Sequence, residues 1–194
     1  MRRHGGLIAS ADLRGWKTVR NAPLWGSYRG YRVASNRPPG GGVMLIEMLN
    51  ILERFALSEL EHNSAEYILI VAEAMKRATI DKDRHVGDPR FVEVPVECLT
   101  GKEYAAALAE EIRVGRTAEV PRFNAGGSPN RDTTHVSVLD ADGNCVTMTH
   151  SLGMPSGVVT EGLGFMYNGC MGVFDPRPGR AGSLAPGKAR FSSV

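Results

Sequence analysis

Cysteine is scarce in this chain and carries no pattern. Cys98, Cys145 and Cys170 lack paired metal-ligand spacing, and three thiols cannot close completely into disulfides within one chain. They read as small apolar residues. A long apolar run is also missing: none exceeds that of Tyr67 to Ala72, which is far short of the roughly 20 residues a membrane-spanning helix needs. Neither sign of charge is in excess. Lys plus Arg is 23 against 21 for Asp plus Glu, a net charge of +2 that is too near balance for nucleic-acid binding driven by electrostatics. Met1-Arg2-Arg3-His4 leads into Gly-Gly rather than an apolar segment, so no signal peptide is visible. The glycine run in Pro38-Pro39-Gly40-Gly41-Gly42 lacks the Lys-Ser/Thr of a phosphate-binding loop and reads as a turn that launches a helix. In Asp140-Ala141-Asp142-Gly143-Asn144 the acids alternate as in a calcium loop, but glycine stands fourth instead of sixth and Ser151 stands where the bidentate glutamate belongs. That run is a turn. No acid follows Asp175 while Arg177, Arg180, Lys188 and Arg190 do, which leaves a locally basic stretch rich in Pro and Gly.

What is present is an ordinary soluble composition, 42% hydrophobic and 23% charged over 194 residues, enough for one domain core. Ser10 is placed to cap a short helix through Trp16. Tyr28, Tyr31 and Val33 around Gly30 predict strand structure between Trp25 and Ser35. A helix from Val43 to about Phe55 sets Leu45, Met48, Leu49 and Leu52 at spacings of three and four, and a second, capped by Ser64, repeats this with Ile68, Val71, Ala72 and Met75. Thr100 and Glu103 form a capping box for a third, carrying Tyr104, Leu108 and Ile112. From Arg116 to Arg131 the periodicity stops and Pro, Gly, Asn and Ser predominate, the composition of a flexible linker.

Directly after that linker, Val136 and Val138, then Val146 and Met148, alternate about Asp142-Gly143 and predict a hairpin with one buried face. Thr133, Thr134 and His135 stand at its head. A threonine hydroxyl is a weak nucleophile unless a base takes its proton, and an N-terminal amine, with a reference pKa of roughly 7.7 to 8.0, suits that task near neutral pH. Cleavage just before Thr133 would supply such an amine. The plainer reading of Thr-Thr at a strand start is β-propensity and surface hydroxyls. His135 shares a strand face with Thr133, which also leaves a histidine-dependent triad open.

The run TTHVSVLDADGNCVTMTHSLG, with GLGFMYNGCMGVFDPRPG and PGKARFSS after it, resembles the start of the small subunit of γ-glutamyltranspeptidases (glutathione hydrolases), which are N-terminal nucleophile hydrolases. Before it, HGGLIASADLRGW, YRGYRV, PPGGGVMLIEMLNILE and VGDPRFVEVPVECL resemble the last part of that family's large subunit. The resemblance implies an α+β fold, a partial αββα four-layer sandwich. It implies that residues 1–132 are the end of the large-subunit region, closing in the linker 116–132, and that 133–194 begin the small-subunit region. The chain then reads as an internal fragment across that junction, and its compartment cannot be inferred from Met1.

The activity implied is a self-processing acyltransferase or hydrolase acting on γ-glutamyl amides such as glutathione. It requires no cofactor or metal, accepts a small-molecule or peptide donor with an amino acid or water as acceptor, and pairs two subunits of one precursor. By the same resemblance Thr133 is the nucleophile, first at the Asp132–Thr133 bond and then at the donor's γ-amide carbon. Ser151 falls where the family carries a second threonine bonded to the nucleophile, and Ser192 and Ser193 match paired serines that hold the donor's α-carboxylate. Three positions depart: Gly153 replaces an asparagine, Cys170 a polar residue, and Val173 the acid that recognises the donor's α-ammonium, with Asp175 close by as a substitute. Those departures favour an amidase or acylase of different acyl specificity. A catalytically silent domain is a further alternative, because the family's glycine-rich oxyanion segment and donor-binding arginine match nothing in these 194 residues.

Overall fold

A computed structural model describes residues 5–121, 133–153 and 155–192. Among these residues the chain is α+β. Its helices are α1 (Ser10–Gly15), α2 (Gly42–Leu52), α3 (Ala65–His85), α4 (Val96–Leu99) and α5 (Lys102–Arg113). Its strands form three two-stranded antiparallel sheets: β1 (Leu24–Tyr28) with β2 (Tyr31–Ser35), β3 (Thr133–Leu139) with β4 (Cys145–Ser151), and β5 (Pro155–Val159) with β6 (Met166–Asn168). No described helix is long and apolar enough to cross a membrane.

The β1–β2 hairpin turns through Arg29 and Gly30, whose φ values of 48° and 87° give the two left-handed centres that match strand twist in a two-residue loop. β1 lies so close on α2 that a Cβ at Gly26 would stand 2.8 Å from Ile46. Val43 and Ile46, in the first half of α2, pack with Leu24, Val86 and Leu99. Ile51, at its far end, belongs to a second cluster with Ile70, Ala74, Ala105, Ala109 and Ile112. One helix therefore joins both cores, and full burial of each isoleucine contributes roughly 1.5–3 kcal/mol.

Both long helices form where the periodicity puts them, but they bury other faces. On α2, Leu45 is 40% exposed, and Val43, Ile46, Glu47, Asn50 and Ile51 are buried instead. On α3, Ile68 and Met75 are 53% and 52% exposed, and the buried stripe is Ile70, Glu73, Ala74, Arg77, Ala78 and Asp81. The stripe keeps helical spacing, but three of its members are charged, so a count of apolar residues misses it. Ser64 caps α3 as expected, its Oγ accepting from the Tyr67 N–H at 3.2 Å. Thr100 does not cap α5: its hydroxyl donates to the carbonyl of Val96, the first residue of α4, and Gly101 holds the cap position. Ser10 is likewise the first residue of α1 and not its cap; Asp12 accepts from the Ala9 N–H at 2.7 Å.

The buried charges are fastened to one another and to the chain beyond α5. Glu73 pairs with Arg77 and accepts from Lys76 Nζ at 2.6 Å and from the Ala118 N–H at 2.8 Å, while Arg77 Nη2 donates to the Arg116 carbonyl at 2.7 Å. Residues 116 and 118, at the start of the expected linker, are thus tied to α3. Residues 122–132 lie outside the described residues.

Glu47 faces Asp81, whose Oδ2 accepts from the Tyr104 hydroxyl at 2.6 Å. Burial first, and the Asp81 carboxylate second, push the Glu47 carboxyl up to about 9. Glu47 is thereby protonated in the folded chain at neutral pH and ionised in the unfolded one. The unfolded state binds fewer protons between the ordinary value of 4.5 and about 9, so this group's contribution to stability is complete below that window and lost as pH rises through it. Glu47→Gln keeps the shape and removes the titration. We expect the melting temperature of the variant to fall less than the parent's between pH 5 and pH 9; equal falls in both would show that Glu47 holds no proton there.

Candidate functional site

The β3–β4 hairpin sets Thr133 opposite Ser151, and the pairing runs in register to Leu139 opposite Cys145. Its turn closes as expected, with Gly143 at φ 82° and the Asp140 carboxylate accepting from the backbone N–H groups of Asp142 and Asn144 and from the Asn144 amide. The expected buried face is not buried: Val136, Val138, Val146 and Met148 are 45–66% exposed. Alternation determines which residues share a face, but burial needs a second layer over it.

The opposite face is polar along its length. Thr133 Oγ1 donates to Ser151 Oγ at 3.1 Å, and the Gly153 N–H donates to the same oxygen at 2.9 Å. Next along the sheet, His135 Nδ1 lies 2.9 Å from Thr149 Oγ1 and Nε2 lies 2.8 Å from Thr147 Oγ1, with Ser137 Oγ 3.2 Å from both Nε2 and Thr147 Oγ1. Both nitrogens of His135 are therefore engaged by β4 hydroxyls or by Ser137, which stitches the two strands together beside Thr133. Thr147 and Thr149 were legible only as alternate hydroxyls on β4, a pattern that β-propensity alone produces.

Beyond Ser151 the chain turns at Gly153, where φ is 68° and a Cβ would stand 3.3 Å from Cys170 Sγ. The buried Cys170 thiol donates to the Leu152 carbonyl at 3.3 Å, joining this end of β4 to the 3-10 helix Cys170–Val173. Val173, at the end of that helix, lines a cavity of about 310 Å³ together with Lys82, Val86 and Phe191. Asp175 also borders it, but its carboxylate is committed. Arg177 reaches it through Nε at 2.8 Å, Nη2 at 2.5 Å and its own N–H at 2.9 Å, and this pairing holds Asp175 down at about 2.

The structure brings Thr133 and Ser151 together. It sets Ser192 on the turn before α2, its N–H donating to the Pro39 carbonyl at 3.0 Å in a bridge with Gly40. Asp132 and Ser193 lie outside the described residues.

A family model, Gamma-glutamyltranspeptidase, matches residues 1–194. The chain belongs to the gamma-glutamyltranspeptidase family. It is 36% identical to the glutathione hydrolase proenzyme of Escherichia coli (strain K12) over 210 residues, covering 100% of this chain and 36% of that one. It is 41% identical to the acylase ACY 1 proenzyme of Pseudomonas sp. (strain V22) over 201 residues, covering 100% of this chain and 35% of the relative. Among solved structures, cephalosporin acylase from Bacillus halodurans superposes with a TM-score of 0.78 at 32% identity, over 100% of this chain and 34% of that one. Helicobacter pylori gamma-glutamyltranspeptidase superposes with a TM-score of 0.54 at 34% identity, over 64% of this chain and 38% of that one. The chain thus spans about a third of the length of the relatives it matches. These likenesses bear out the α+β fold of the N-terminal nucleophile hydrolase type within the gamma-glutamyltranspeptidase family.

Proposed function

We propose that the whole protein is a self-processing acyl-transfer enzyme that acts on γ-glutamyl amides, glutathione among them, through Thr133 as an N-terminal nucleophile. The observation that carries this reading is the Thr133–Ser151 hydroxyl pair at the first position of β3. In this account the Asp132–Thr133 bond is cut, residues up to Asp132 end the large subunit and Thr133 begins the small one. The freed α-amino group takes the proton of Oγ1 as that oxygen attacks the donor carbonyl. The amide C–N bond breaks, the leaving amine takes the proton, and an ester to Thr133 remains. Water or an amino acid then attacks the ester and returns the proton to Oγ1. Ser151 orients Oγ1, and Ser192 with Ser193 donates hydrogen bonds to the donor's α-carboxylate. No step calls on a metal or cofactor. The relatives' designation as proenzymes supports the cut between subunits.

Mass spectrometry of the whole protein is expected to show a chain beginning at Thr133. Thr133→Ala abolishes both cleavage and turnover, with a loss of several orders of magnitude in rate, and Thr133→Ser keeps some of each. An uncut but active protein, or a fully active alanine variant, would move the chemistry elsewhere.

A second reading, an amidase or acylase for acyl groups without an α-amino substituent, is favoured by the Val173 cavity. Val173 offers an ammonium neither charge nor hydrogen bond, and Asp175 is already held by Arg177. The 41% identity to an acylase proenzyme points the same way. Val173→Asp should raise kcat/KM for γ-glutamyl donors relative to des-amino acyl donors by roughly tenfold, the equivalent of about 1.4 kcal/mol of restored pairing. An unchanged ratio in an enzyme already efficient with glutathione would exclude this reading.

A further inference from the structure

Asp88 is a buried carboxylate, 2% exposed, in the loop that follows α3, and it carries no part of the chemistry described above. Burying a charge is costly unless it is paired and hydrogen-bonded, so what satisfies it is informative. Its Oδ1 accepts from the Arg90 N–H at 3.0 Å, and the Arg90 guanidinium grips both oxygens, through Nε at 3.1 and 3.2 Å and through Nη2 at 2.6 Å. The remaining partner is distant in sequence: the Ala189 N–H donates to Oδ2 at 2.7 Å. Arg90 Nη2 also donates to the Gly187 carbonyl at 2.9 Å. Acid and base together therefore hold one N–H and one C=O, two residues apart, on a single segment.

The Asp88 loop is packed as well as bonded, against Ala181 and against the segment it holds. At Gly87 a Cβ would stand 2.3 Å from the Ala181 carbonyl oxygen, so the loop admits no side chain there. The Phe91 ring lies 5.8 Å from both Arg90 Cζ and Lys188 Nζ. Two residues past Ala189, Phe191 packs on the cluster of Leu24, Val43 and Ile46, and Ser192 follows on the Pro39 carbonyl.

We propose that Asp88 and Arg90 are positioning residues that clamp the backbone at Gly187 and Ala189 and so hold Ser192 in place to receive the donor. The role of Ser192 here rests on the functional reading above; the clamp itself does not. Its two halves stand on opposite sides of the Asp132–Thr133 bond, so in a cleaved protein it is also a contact between the two products. Asparagine at 88 could accept from Ala189 through its one carbonyl oxygen but could not also take the arginine fork. The Arg90 side chain is 66% exposed, so its removal opens no cavity, although it leaves Asp88 with backbone partners alone.

Hydrogen exchange read by mass spectrometry on the whole protein tests the clamp with Arg90→Ala and Asp88→Asn. Both variants are expected to speed exchange in peptides covering 184–192 by about tenfold or more, while peptides from α2, α3 and the β3–β4 hairpin keep the parent's rates. Donor KM is expected to rise about fivefold or more, with saturating kcat and the extent of cleavage before Thr133 within about twofold of the parent. Arg90→Lys, which keeps the charge without the fork, should recover part of the loss. Unchanged exchange at 184–192 would overturn the clamp. Faster exchange with unchanged KM would overturn its link to Ser192, and faster exchange throughout would show a general structural role instead. A parent that neither cleaves before Thr133 nor turns over any donor would remove the functional reading, and the exchange result would still decide the clamp.

Discussion

The burial of α2 is the constraint on which the rest of the described structure depends. Val43, Ile46 and Ile51 are 0–2% exposed and lie in two separate clusters, so this helix fixes β1 and α4 at one end and α3 and α5 at the other. Loss of such a side chain to alanine typically costs about 2–5 kcal/mol, a large share of the stability of a domain this size. The same helix fixes the position of Ser192, whose backbone bridges to Pro39 and Gly40 in the turn that starts it. Glu47, on the buried side of that helix, faces Asp81, whose carboxylate accepts from the Tyr104 hydroxyl, so α2 meets α3 and α5 through polar groups as well as apolar ones.

Turn chemistry and strand alternation were the legible parts of the sequence. Asp142-Gly143 closed the expected hairpin, and the strand structure expected around Gly30 is a hairpin turning at Arg29-Gly30, because a turn needing positive φ restricts the residues that can form it. Helix faces were harder to read. α2 is apolar on nearly every side, and α3 hides Glu73, Arg77 and Asp81 in its buried stripe, so hydrophobic spacing alone missed the fully buried residues on both, although the expected Leu52 does pack on the core. Asp88 lay in the family-like run VGDPRFVEVPVECL, but that run did not show what the carboxylate holds, because its partner Ala189 is 101 positions away. Thr133 and Ser151 could be placed opposite one another once the turn was known. Whether the valines beneath them were covered could not be, because burial depends on a layer that alternation does not specify.

The candidate site brings two properties together. One is a pair of hydroxyls set across the start of a strand, on a polar face ordered by His135. The other is a cavity edged by Val173 and Phe191, whose two acids, Asp175 and Asp83, are paired with Arg177 and Lys82. The hydroxyl pair and the cavity are separate places in the fold, and Cys170 connects them, with its thiol on Leu152 and its helix ending at Val173.

The central claim, that Thr133 is the residue acylated during turnover, is tested most directly by trapping the acyl group. The whole protein is mixed with a slowly released acyl amide donor, quenched in acid within one turnover, and digested for peptide mapping. The account predicts the added acyl mass on the peptide that begins at Thr133, as an ester on its Oγ1 that hydroxylamine removes. The same mass on any other residue, with turnover intact, would contradict it.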